Sequence, residues 1–182
     1  MTDTRMICAG FGGQGVMSLG MLFTYAGMIE NKQVTWCPSY GPEMRGGSAN
    51  CSVTVSDEEI GSPLISNDAT VVVIMNRASI KFIKDLRPGG YAFLNSSLVS
   101  DEVKRDDITV YKIPVNDIAS ELGNTKLANI VMLGAVNEIL HIVDSESIVE
   151  AFRKVFGATK EKFIPQNKMA MQKGMEYVQN LK

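Results

Sequence analysis

Short apolar runs alternate with longer helical patterns along this chain, and that rhythm predicts its elements. Arg5 to Ala9 reads as a first strand and Val16 to Ile29 as a helix, joined through Gly10-Phe11-Gly12-Gly13-Gln14-Gly15. No charged residue occurs between Met6 and Ile29, so the helix is apolar all round and needs cover on more than one side. Gln33 to Cys37 reads as a second strand and completes a βαβ unit, whose crossover is expected to be right-handed. Cys51 to Val55 alternates with period two, as a strand with one covered face does. Ala69 to Met75 is apolar but for Thr70, the pattern of a central parallel strand covered on both faces. A short amphipathic helix is expected over Ala78 to Leu86, ended by a turn at Arg87-Pro88-Gly89-Gly90. Tyr91 to Leu94 and Ile108 to Ile113 read as further strands. Ile118 to Leu122 begins a short helix closed by Gly123-Asn124, and helices follow over Leu127 to Leu140, Ser147 to Phe156 and Lys168 to Val178.

Strands alternating with helices in a chain of 182 residues predict a single open Rossmann-like α/β sheet, mostly parallel, with helices on both faces, forming one domain over residues 1–182. A hydrophobic fraction of 45% suffices for one buried core. The net charge of −2 provides no basic field, which argues against a nucleic-acid partner. A membrane span is rejected because six glycines interrupt the uncharged stretch from Met6 to Ile29. A secretory leader is not expected either, because a glycine turn stands where an unbroken apolar core would be needed.

The inventory of reactive side chains is sparse. Cys8, Cys37 and Cys51 form no CxxC or CxxxC pair, so this chain alone is not expected to hold an iron–sulfur cluster or structural zinc. An odd number of scattered cysteines suits a reducing cytoplasm, with each thiol packed in the apolar interior. His141 is the only histidine and ends an apolar helical pattern, a structural position. No catalytic residue and no metal ligand set is therefore expected. Methionine is abundant, with 11 residues, and suits adaptable cores and contact surfaces.

Two motifs carry the candidate chemistry. Gly10-x-Gly12-x-x-Gly15 has the spacing of a dinucleotide fingerprint between a strand and a helix. Three readings stand beside one another: a tight turn needing glycine for geometry, an anion site at a helix N-terminus, and a nicotinamide dinucleotide site. The last lacks its acidic ribose partner, because the second strand ends in Trp36-Cys37-Pro38. Gly12, Gly13, Gln14 and Gly15 are the candidate ligand-binding residues of this turn. The second motif, from Pro38 to Gly47, holds two prolines and three glycines and so forms a shaped loop at a strand's carboxyl end. Arg45 has the fork to bind a phosphate or carboxylate, and Ser39 and Tyr40 offer hydroxyls. Gly41, Pro42 and Gly46 shape the backbone, and Glu43 pairs with Arg45 or an external cation. A plain surface turn with a solvated Arg45 is the competing reading.

The order and separation of these motifs resemble the gamma subunit of 2-oxoacid:ferredoxin oxidoreductases. The resemblance rests on Gly10-Phe11-Gly12-Gly13-Gln14-Gly15-Val16, on Pro38 through Cys51, on Ile60-Gly61-Ser62-Pro63 and on Asn129 through Ala135. The Glu43-Met44-Arg45-Gly46-Gly47 form of the loop is most similar to the 2-oxoglutarate and branched-chain 2-oxoacid types. The resemblance implies a multi-subunit enzyme that oxidatively decarboxylates a 2-oxoacid, joins the acyl group to coenzyme A and passes two electrons to ferredoxin. It implies thiamine diphosphate, magnesium and iron–sulfur clusters on sister chains, since this chain lacks their binding signatures. Two other classes remain open: a free-standing nucleotide- or flavin-binding protein, and a pure assembly scaffold. Isolated, the chain is expected to be inactive, and a homodimer through apolar surface meant for its partners stays open.

Overall fold

A computed structural model describes residues 3–39 and 48–181. Its centre is a six-stranded sheet in the order β2-β3-β1-β4-β5-β6, formed by β1 (Asp3–Phe11), β2 (Gln33–Ser39), β3 (Ser48–Ser56), β4 (Ala69–Ile74), β5 (Leu86–Asn95) and β6 (Thr109–Ile113). Strands β1, β4, β5 and β6 pair in parallel. β3 runs antiparallel between β1 and β2. The βαβ unit read from the pattern therefore exists with another strand inserted at its middle. Only the segment 40–47 separates β2 from β3, and a connection that short suits an antiparallel neighbour, whereas a parallel one needs a long crossover.

Among the described residues α1 (Val16–Ile29) lies between β1 and β2, and α2 (Val115–Glu121), α3 (Ala128–Leu140), α4 (Ser145–Phe156) and α5 (Ile164–Gln179) come after β6. They pack on one face of the sheet, where Met6, Cys8, Val71, Val73 and Phe93 meet Leu19, Phe23, Val131 and Phe152. The opposite face buries Ile7, Val72, Ile74, Ala92 and Leu94 beneath Ile80, Ile83 and Val99. Helical cover on that second face comes from a 3-10 segment, Arg77–Asp85, where an α-helix was expected. Asn76 starts it by accepting a hydrogen bond from Ser79 N at 3.0 Å. On the same side Arg5 pins the segment after β3, with Nε 3.0 Å from Asp68 Oδ2 and Nη2 donating to Leu64 O at 2.6 Å.

The turn expected at Arg87-Pro88-Gly89-Gly90 lies inside β5. Ala69 pairs with Leu86 but Val71 pairs with Tyr91, so these residues bulge out of the ladder, with Gly89 at φ +77. Proline and glycine carry the same local signal for a bulge as for a turn.

α3 is buried along most of its length and crosses α5 at two glycines. A Cβ on Gly134 would overlap the Met171 carbonyl, and one on Gly174 would overlap the Val131 carbonyl. Those clashes are with backbone, so no side-chain rotation relieves them. Gly134→Ala is expected to lower unfolding free energy by about 2–3 kcal/mol despite alanine's better helix propensity. Urea unfolding curves check this, and an unchanged midpoint would contradict the close crossing.

Candidate functional site

The glycine turn leaves β1 at the sheet's carboxyl end and enters α1 directly. Gln14 N donates to Phe11 O at 3.1 Å, and Gly13 and Gly15 take left-handed φ values of +94 and +73. A side chain at Gly15 would collide with Asn129 of α3, whose Nδ2 donates to Gly15 O at 3.2 Å. The start of α1 has no side-chain cap and no acidic residue in its first turn. Its first N–H groups and the positive end of the helix dipole thus stay available at the crevice.

That crevice is also where the chain's course reverses. From β1 the chain proceeds to β2 and β3 on one side, then to β4, β5 and β6 on the other. The gap between the ends of β1 and β4 is therefore the switch point at which open α/β sheets place ligands. A hollow of about 170 Å³ lies there, lined by Gly13, Gln14, Met75, Asn116, Thr125, Lys126 and Ala128. A second hollow of about 230 Å³ lies against Phe11, Gly12, Gly15, Met17 and Ala49.

Carboxamides hold the switch point in shape. Gln14 Oε1 accepts from Phe11 N at 2.7 Å and from Asn76 Nδ2 at 3.1 Å, while its Nε2 donates to Met75 O at 3.1 Å. Asn95 Nδ2 donates to the same Met75 carbonyl at 3.0 Å and to Asn116 Oδ1 at 2.7 Å. Asn76, Asn95 and Asn129 are all buried. Neutral amides satisfy one another here without the desolvation cost that buried charges would bring. Sequence reasoning missed Asn76, Asn95 and Asn116 and gave Asn129 no role at the site; the one available signal was an asparagine at or just past the end of each of two apolar strands, β4 and β5.

Of the expected ligand-binding residues, Gly12, Gly13, Gln14 and Gly15 come together in this turn. Ser39 is exposed at the end of β2, paired with Asn50, while Phe11 pairs with Ser48. The two anchors of the proline–glycine loop, Ser39 and Ser48, thus reach the edge from which the glycine turn departs. Tyr40, Gly41, Pro42, Glu43, Arg45 and Gly46 lie outside the described residues.

The cysteines are closer than their numbering suggests. Cys8 and Cys51 are direct partners across β1 and β3, and both are buried. A hydrogen bond with Cys51, reinforced by burial, pushes the Cys8 thiol well above its ordinary pKa. Cys37 departs from the expected buried position and is half-buried on the edge strand β2. His141 closes α3 in a left-handed conformation at φ +48. Among the described residues no group of three or more His, Cys, Asp or Glu is placed to hold a metal ion, and no helix is long and apolar enough to cross a membrane. The arrangement suits anion binding through backbone N–H groups.

Replacing Gln14 with methionine keeps its length and removes all three hydrogen bonds of the clamp. The expected loss is about 2–3 kcal/mol of unfolding free energy, against less than about 0.5 kcal/mol for the same change at exposed Gln179. Denaturant titration of both variants checks this; equal effects would contradict the clamp.

Comparison with known proteins places the chain. Residues 5–177 match the family model described as pyruvate ferredoxin/flavodoxin oxidoreductase. The chain is 38% identical to the 2-oxoglutarate synthase subunit KorC of Methanocaldococcus jannaschii, covering 95% of this chain and 92% of that protein. It is 34% identical to the ketoisovalerate oxidoreductase subunit VorA of Methanothermobacter marburgensis, covering 96% of this chain but only 36% of that longer protein. Among solved structures it is similar to the keto/oxoacid ferredoxin oxidoreductase gamma subunit of Geobacter sulfurreducens, with a TM-score of 0.79, 27% identity, and coverage of 95% of this chain and 96% of that one. With the fold and nearly the whole length in agreement, the chain belongs to the pyruvate ferredoxin/flavodoxin oxidoreductase family.

Proposed function

We propose that this chain is the gamma subunit of a cytoplasmic 2-oxoacid:ferredoxin oxidoreductase. Residues 1–182 act in it as one gamma domain. The complex decarboxylates a 2-oxoacid, with 2-oxoglutarate the first choice, forms the acyl-coenzyme A and reduces ferredoxin. One observation supports this most: the match to a 2-oxoglutarate synthase subunit extends over nearly the full length of both chains. Thiamine diphosphate with magnesium, and the iron–sulfur clusters, belong on sister chains in this reading; bound there, they supply the decarboxylating and electron-carrying chemistry.

The work of this chain is to receive and orient. The Gln14 clamp keeps the glycine turn open, and the uncapped start of α1 presents N–H groups to an anionic substrate such as coenzyme A. Arg45, with Ser39 and Tyr40, adds a charged and hydroxylic grip from the neighbouring loop.

A scaffold role has one specific support. Met17, Met21 and Met28 recur at helical spacing on uncharged α1, and Met28 is 54% exposed, so a sister chain has an apolar surface to cover.

In the assembled complex, Arg45→Ala is expected to raise the KM for coenzyme A roughly tenfold, as for loss of one charge-assisted contact, with the KM for 2-oxoacid unchanged. Steady-state kinetics checks this. An unchanged KM for coenzyme A would remove the receiving role and leave the scaffold reading.

A further inference from the structure

A third hollow, about 300 Å³, opens beside the glycine turn's crevice, among the segment leading into α3, the end of α4 and the start of α5. Leu127, Phe156 and Phe163 form its apolar wall, and Lys126 and Lys160 stand among its lining residues. Among the described residues no acidic side chain lines it. Neither lysine forms an ion pair among the described residues; Lys160 Nζ instead lies 5.9 Å from the centroid of the Phe156 ring. Phe163 is 44% exposed, a large apolar ring turned toward water. Asn167 is buried in the same wall, with its Nδ2 donating to Phe163 O at 3.0 Å. Its Oδ1 has no protein partner among the described residues.

Each feature narrows the occupant. The volume is at the small end of ligand pockets, roughly 300–1,000 Å³, and fits one fused ring system with a phosphate, not a peptide. Aromatic walls favour a flat ring. Two unpaired ammonium groups favour a compact anion at the ring's edge. An unused amide oxygen favours an exocyclic amino group on the ring.

We infer that this hollow binds a purine nucleotide, with the base packed on Phe156 and Phe163 and a phosphate held by Lys126 and Lys160. Two sources share that chemistry: a free nucleotide, and the nucleotide end of coenzyme A. Only the second rests on the proposed function. Lys126 lines both this hollow and the smaller one at the glycine turn, so a ligand occupying both would pass along its side chain.

Calorimetric titration of the full chain with ADP, adenosine 3′,5′-bisphosphate, adenosine and inorganic phosphate tests the site. Saturable binding of a nucleotide is expected, weakened at least tenfold in the Lys126→Gln/Lys160→Gln double variant and in Phe163→Ala, with adenosine and phosphate each binding less well than the nucleotide. These side chains are exposed, so the variants should keep the wild-type unfolding midpoint. No saturable nucleotide binding, or equal binding by the folded variants, overturns the proposal.

In the assembled complex the KM for coenzyme A is then compared with that for pantetheine, which lacks the nucleotide. A rise for coenzyme A alone in the lysine double variant assigns the hollow to coenzyme A. With nucleotide binding lost in that variant, unchanged KM values assign it to a free nucleotide. An unchanged KM in Arg45→Ala alongside positive titrations would overturn the receiving role and leave the hollow standing.

Discussion

The carbonyl of Met75 accepts hydrogen bonds from Gln14 and Asn95, and the shape of the crevice depends on that shared acceptor. It ties the turn after β1 to the ends of β4 and β5, the strands flanking and following the switch point. Without that tie a turn containing Gly12, Gly13 and Gly15 would have many conformations to choose among. The tie is made of neutral amides, and the first turn of α1 holds no acidic residue. The same choice that rigidifies the crevice leaves it attractive to an anion.

Much of the fold was legible because some signals are local. The bounds of α1 follow from a glycine turn that ends at Gly15 and an uncharged run that stops at Glu30, with Asn31 at φ +58 just beyond. β4 was legible as a central strand because every position from Ala69 to Ile74 is buried. Strand order was not legible at β3, since period-two alternation reports a covered face and not the identity of its neighbours. The pairing of Cys8 with Cys51 was hidden for the same reason: register is set by tertiary contacts.

The candidate site was legible only in part. Glycines announce a turn, but the asparagines that hold it lie far apart in sequence, each ordinary in its own segment. Phe156, Phe163 and Lys126 line one hollow because the end of α4 and the segment entering α5 lie beside the residues leading into α3. Their spacing along the chain fits no motif, so a pocket built from them leaves no trace until the helices are packed.

In the proposed function this chain shapes a binding crevice, and bond-making belongs to its sister chains. The most direct test is reconstitution: 2-oxoacid- and coenzyme A-dependent dye reduction measured with the sister chains alone, with this chain alone, and with both together. The account predicts turnover only when all chains are present. Turnover by this chain alone, or full activity of the sister chains without it, would contradict the account.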